Sequence, residues 1–147
     1  MRKMLKSRYF SLAELLHSTT AVSKKIENLP SWEVIENLNR LALFLDEMRE
    51  AWGSGLRITS GYRNLQLNSA VGGVSGSAHC TGNAVDIVPV NGRMNEFETF
   101  LKRWLVDREF DECIWEYSKS SGSRWVHCSL FSNKGLQRRK MFGLQAK

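Results

Sequence analysis

With 147 residues, 42% of them hydrophobic and 24% charged, the chain is long enough to bury a core and falls in the globular class as one domain over residues 1–147. No apolar run approaches the roughly 18 residues of a membrane span, which excludes membrane insertion. The net charge of +6 gathers at the two ends, in Arg2, Lys3, Lys6 and Arg8 and in Lys134, Arg138, Arg139, Lys140 and Lys147, without interleaved aromatics. That is the pattern of a solvated surface, so no nucleic-acid partner is expected.

Met1 to Lys6 open with positive charge, but Ser7, Arg8 and Tyr9 stand where a signal peptide needs an apolar stretch, and no export signal is expected. Ser11-Leu12-Ala13-Glu14 after Phe10 fits a capping box and predicts a short helix presenting Leu12, Leu15 and Leu16. After Pro30-Ser31, the helical spacing of Ile35, Leu38, Leu41 or Ala42, Leu45, Met48 and Trp52 predicts a longer helix ended by Gly53 and Gly55. Trp32, Phe44 and Trp52 on this helix are read as core packing. Leu56 to Ser60 reads as a strand centred on Ile58 and broken by Gly61. Leu65 to Val71 predicts a short helix ended by Gly72-Gly73, with a Gly/Ser-rich loop running on to Ser77.

Ala84 to Val90 is a buried, central strand weakened at Pro89. Met94, Phe97, Phe100 or Leu101, Trp104 and Leu105 predict another amphipathic helix. Cys113 to Tyr117 and Trp125 to Phe131 form a hairpin across the polar turn of residues 118–123. The whole predicts an α+β domain, a small and largely antiparallel sheet flanked by helices. Three cysteines are too few, and odd in number, for a disulfide framework, which points to a reducing compartment. All three are read as buried thiols, with a cross-strand Cys113–Cys128 disulfide as the alternative.

The chemistry collects on the predicted sheet. His79 precedes the Ala84 strand and Asp86 lies on it, and a turn at Gly82 can bring the two side chains together. On the hairpin, Trp125, His127 and Ser129 share one face, with Val126 and Cys128 on the other. The six-residue turn makes Ile114 and Glu116 partners of that same face, so Glu116 can sit beside His127. His79, Asp86 and His127 suit a catalytic zinc with one coordination position left open, and Glu116 can take a proton from water. Taken singly, each histidine could be an ordinary hydrogen-bonding residue and Asp86 a turn cap. Ser77 and Gly82 at fixed offsets favour the joint reading.

The run Ser77-x-His79-x-x-Gly82-x-Ala84-x-Asp86, with Trp125-Val126-His127 downstream, resembles the zinc D-alanyl-D-alanine peptidases of bacteria and phages, whose fold is shared with the Hedgehog signalling domain. The likeness extends to Thr59-Ser60-Gly61-Tyr62-Arg63, similar to the family's substrate-binding arginine segment, to Asn68 with Val71-Gly72-Gly73, and to Phe10 through Leu15. It implies a Hedgehog-like DD-peptidase fold, a Zn2+ cofactor on His79, Asp86 and His127, and Glu116 as general base. Arg63 would stabilise the oxyanion or hold the peptide's terminal carboxylate, assisted by Ser77. Many relatives carry a glutamate three residues before the last histidine, where this chain has Arg124; the subgroup with its base on the preceding strand fits Glu116.

The implied substrate is a peptidoglycan stem peptide or cross-bridge, cleaved next to a D-amino acid by a carboxypeptidase or an endopeptidase of endolysin type. The same basic surface would draw the protein towards anionic wall polymers. A monomer made in the cytoplasm and acting on the wall after release, as a phage or prophage lysis enzyme does, suits the missing signal peptide. The alternatives are a non-catalytic, metal-stabilised wall-binding module of the same fold and, further off, a basic nucleic-acid-binding protein.

Overall fold

The computed structural model describes residues 5–146; Met1 to Met4, most of the charged opening segment with its Arg2 and Lys3, and the terminal Lys147 lie outside the described residues. The helices are α1 (Leu12–Leu16), α2 (Thr19–Ser23), α3 (Trp32–Trp52), α4 (Leu65–Ala70) and α5 (Met94–Trp104). The strands are β1 (Leu56–Ser60), β2 (Ala84–Pro89), β3 (Glu112–Tyr117), β4 (Arg124–Ser129) and β5 (Lys140–Gln145), and short 3-10 turns cover Ala78–Thr81 and Leu105–Asp107. The five strands form one sheet in the order β1-β2-β4-β3-β5. Its pairs are antiparallel except β3 with β5, so the sheet is largely antiparallel and flanked by helices, as the sequence predicts. None of the described helices is long and apolar enough to cross a membrane.

Local chemistry sets the helix ends. Ser11 and Glu14 complete the predicted capping box of α1. Ser31 caps α3 by accepting from the Val34 N–H at 3.2 Å, and Gly53 closes the helix in the left-handed region at φ 79°. Between them Leu38, Leu41, Ala42, Leu45 and Met48 recur on one face and are fully buried. They share a core with Val85 and Ile87 of β2, Cys113 of β3, Val126 and Cys128 of β4, and Phe97 and Leu101 of α5. Burying each large aliphatic side chain there contributes about 1.5–3 kcal/mol. One sheet face is thereby committed to the core, and strand alternation turns Asp86, Glu116 and His127 to the other.

Several expectations change in detail. Phe44 packs against Trp104 and Trp52 against Phe97, with ring centroids 5.5 and 5.1 Å apart, but Trp32 is 72% exposed. It is the first residue of α3, two positions before the helix meets the core at Val34, so its side chain turns outwards. Cys113 and Cys128 are directly opposed, buried and free, whereas Cys80 is only partly buried. Two short elements carried no sequence signal. α2 is a polar five-residue turn of helix whose buried residue is Ala21, and β5 is exposed along its whole length and lacks alternation.

β5 is held by a charge pair. Asp111, 1% exposed, accepts from Arg138 Nε and Nη2, each at 2.8 Å, and from the Arg138 N–H at 3.1 Å; Arg138 is therefore not the solvated end charge its position suggested. Burial alone would raise the Asp111 carboxyl, but the hydrogen bonds from Arg138 hold it below the usual range. A carboxyl with a depressed folded pKa adds stability above its unfolded pKa and loses it as pH falls through the folded value. Asp111→Ala is therefore expected to cost about 1.5–3 kcal/mol at pH 7, the range for hydrogen bonds to charged groups, since Arg138 is 38% exposed and can return to water. The deficit should shrink below about pH 4. Urea unfolding at pH 7 and pH 3 checks it, and a deficit of equal size at both would remove the charge pair as the cause.

Candidate active site

His79 is built into the 3-10 turn of Ala78–Thr81. Ser77 starts that turn by accepting from the His79 N–H at 3.2 Å, and Gly82 ends it at φ 77°. A Cβ at Gly82 would also lie 2.9 Å from the Val34 carbonyl oxygen of α3, so only glycine leads the turn into β2. Asn133, beyond β4, staples both ends: its Nδ2 donates to the Gly76 and Ser77 carbonyls at 2.8 and 3.3 Å, and its Oδ1 accepts from Thr81 Oγ1 at 2.7 Å.

The His79 ring is 1% exposed, with Nδ1 2.7 Å from the Gly61 carbonyl oxygen and Nε2 3.3 Å from Asp86 Oδ1. A carbonyl only accepts, so Nδ1 carries the proton and Nε2 is left with its lone pair towards Asp86. Burial holds the His79 pKa below its ordinary value despite the opposing pull of Asp86, which keeps the ring neutral. Two electron-pair donors then face each other with no proton between them, an arrangement that a cation relieves.

Asp86 and His127 are direct partners across β2 and β4, and His127 Nδ1 lies 3.2 Å from the same Asp86 oxygen. The donor atoms of His79, Asp86 and His127 all lie within 4.8 Å of one another. Ligands about 2.1 Å from a tetrahedral zinc are about 3.4 Å apart, so the three residues fit such an ion in both chemistry and spacing. Burial would raise the Asp86 carboxyl, but the two histidines hold it well below the usual range. His127 is lowered by burial and raised by its hydrogen bond to Asp86, and the second effect wins.

Glu116 stands opposite Trp125 in the β3–β4 register and diagonal to His127, where strand parity places it. The Trp125 indole Nε1 donates to Glu116 Oε2 at 2.8 Å and fixes the carboxylate. Burial pushes the Glu116 pKa up and the Asp86 charge adds to the shift, against opposing contributions from His127, Trp125 and Arg63. Arg124 lies on the other side of the sheet, donating to Asn95 at 2.9 Å with Glu98 3.6 Å away, so it faces α5 and not His127.

Arg63 follows β1, whose register shifts between Ile58 and Ser60 opposite Ile87 and Asp86. Its N–H donates to the His79 carbonyl at 3.1 Å. Desolvation lowers the guanidinium pKa, opposed by the charges of Asp86, Cys80 and Glu116, and its Nε is buried without a hydrogen-bond partner among the described residues. The segment is shaped by Gly61, where a Cβ would lie 2.2 Å from the Leu15 carbonyl oxygen of α1, the same oxygen that accepts from the Tyr62 N–H at 2.8 Å. Gly61→Ala is expected to cost about 1–3 kcal/mol by forcing α1 away from this loop. Thermal unfolding reads it as a melting point lower by several degrees; an unchanged one would mean that α1 yields freely.

All the residues picked out from the sequence thus converge except in one respect: the Ser77 hydroxyl is engaged with the His79 N–H at the start of the turn. The sequence reading missed the Gly61 carbonyl, the Trp125 indole and Asn133. Strand parity already put Trp125 on the face of Glu116 without giving its indole a partner; a backbone carbonyl and a loop amide carry no comparable signal.

Two imidazoles and a carboxylate gathered on the open face of an α+β sheet, beside a half-buried glutamate and an arginine, define the layout of a metal-dependent hydrolase. A family model described as Peptidase M15 matches residues 8–129, a stretch that holds all of these side chains. The chain belongs to this peptidase family, whose members are metallo-enzymes. No curated protein matches the chain significantly.

Proposed function

We propose that the protein is a zinc peptidase that hydrolyses peptidoglycan stem peptides or cross-bridges at a bond next to a D-amino acid. The observation that carries the metal is the unprotonated approach of His79 Nε2 to Asp86 Oδ1 at 3.3 Å, with His127 Nδ1 3.2 Å from the same oxygen. Family membership and the run from Ser77 to Asp86 support the wall-peptide substrate.

His79, Asp86 and His127 would hold the ion, which when bound supplies Lewis-acid polarisation of a carbonyl and a lowered pKa for water. Glu116 then removes the proton from the attacking water and passes it to the leaving amine, tasks suited to a carboxyl whose pKa lies above the ordinary range. The Trp125 indole keeps that carboxylate in one orientation through the exchange. Arg63, with a donor to spare at Nε, binds the developing oxyanion or the terminal carboxylate of the peptide. Ser77 supports the same end of the site by fixing the turn of His79. A lysis enzyme of phage or prophage type, acting as a monomer on the wall after release, is the setting this chemistry suits.

Digestion of purified peptidoglycan, with the products identified by mass spectrometry, tests the proposal. New amino termini within cross-links identify an endopeptidase and released D-alanine a carboxypeptidase; no cleavage by the zinc-loaded protein would overturn it.

A further inference from the structure

Asn28 lies between α2 and α3, where the sequence has no helical or strand pattern. Its Nδ2 donates to the Tyr62 carbonyl at 2.8 Å and to the Leu16 carbonyl at 3.1 Å, while its Oδ1 accepts from the Asn64 N–H at 2.8 Å. One side-chain amide therefore grips the peptide groups on both sides of Arg63 and ties them to the end of α1. The Arg63 N–H is itself held by the His79 carbonyl, and Asn64 adds a bond from its Nδ2 to the Glu27 carbonyl at 2.7 Å. Around Arg63 the main chain is thus fixed at three consecutive residues, although the segment is neither helix nor strand.

The side chain that leaves this fixed point lies close enough to Asp86, Cys80 and Glu116 to feel their charges, and its Nε is buried and unpartnered among the described residues. A long guanidinium aims usefully only if its Cα does not drift, since a misplacement near 1 Å costs about 100-fold in rate. We propose that Asn28 is a positioning residue for Arg63: it fixes residues 62–64 so that the guanidinium meets the oxygen of the bound peptide. This rests on the role proposed above for Arg63.

The test is a double-mutant cycle on peptidoglycan hydrolysis, with bound zinc and the NMR signal of the Arg63 Nε–H followed alongside. Asn28→Ala is expected to lower kcat/KM by about 10- to 100-fold, to leave zinc content unchanged and to broaden or shift the Nε–H signal, assigned through its loss in Arg63→Lys. In an Arg63→Ala background the same change should cost nothing further, because the two act as a unit. Equal losses in both backgrounds, or an Nε–H signal that does not move, would overturn the proposal. If Arg63→Ala leaves activity intact while the Nε–H signal moves with Asn28, the fault lies in the role given to Arg63, and Asn28 no longer serves the reaction. Should Asn28→Ala not fold, Asn28→Asp serves instead. It keeps the acceptor for Asn64 and sets a carboxylate against the Tyr62 and Leu16 carbonyls, and the same outcomes decide.

Discussion

Glu116→Gln is expected to lower kcat/KM on peptidoglycan peptides by about 10²–10⁴-fold, the range supplied by a positioned general base, while bound metal stays at the wild-type level. Glutamine keeps the volume and can still accept from the Trp125 indole, which now holds Glu116 Oε2 at 2.8 Å, so the hairpin and the ligand cluster should not move. What disappears is the capacity to take a proton. A base acts when deprotonated, so activity should rise with pH through the Glu116 pKa. Burial and Asp86 raise that pKa in the metal-free protein and a bound cation opposes them, so the wild-type profile should show an acidic limb set by the balance of the two at Glu116. The residual activity of the variant should lack that limb. Steady-state kinetics across pH 4 to 8, on samples of measured metal content, decide it; a variant with near wild-type activity would remove Glu116 as the base, and absence of hydrolysis by the wild type as well would point to a non-catalytic binding module.

Asp86→Ala should have the larger effect on the metal. Asp86 Oδ1 lies within 3.3 Å of a nitrogen on each of the two histidines, and Asp86 is the direct cross-strand partner of His127. Removing the one anionic donor leaves two imidazoles around a divalent charge. Zinc affinity is expected to fall by well over the 10- to 100-fold that follows loss of a supporting hydrogen bond, and hydrolysis with it. Chelation of the wild type should likewise stop hydrolysis, and added zinc should restore it. Calorimetric titration of metal-free protein with zinc measures the first effect directly. Stoichiometric, tight zinc binding by Asp86→Ala would mean that the ion is held elsewhere.

Much of this architecture is legible from spacing. α3 announces itself because Leu38, Leu41, Leu45 and Met48 are both apolar and on one face, and Ser31 and Gly53 bound them chemically. Glu116 could be placed beside His127 because strand parity is a strict rule once the turn length is known, and the register of Ile114 with His127 obeys it. β5 escapes because it buries neither face, so selection for alternating apolar residues is absent. It docks through Asp111 and Arg138, a pairing invisible in either segment alone. Asn28 and Asn133 escape for a related reason. Each donates to main-chain carbonyls, which every residue type offers, so those partners leave no mark in the sequence.

The sheet order has a consequence for how the protein comes into being. β4 lies between β2 and β3, so the pairing of Asp86 with His127 closes a loop of about forty residues that includes all of α5 and β3. Contacts so distant along the chain form late, after local helices and the β3–β4 hairpin. Until then neither half of the cluster offers more than two donors, too few to retain an ion against competing chelators. A metal held by all three residues would therefore be captured after the sheet has closed, and a nascent chain would complete that three-donor site only once β4 has been made.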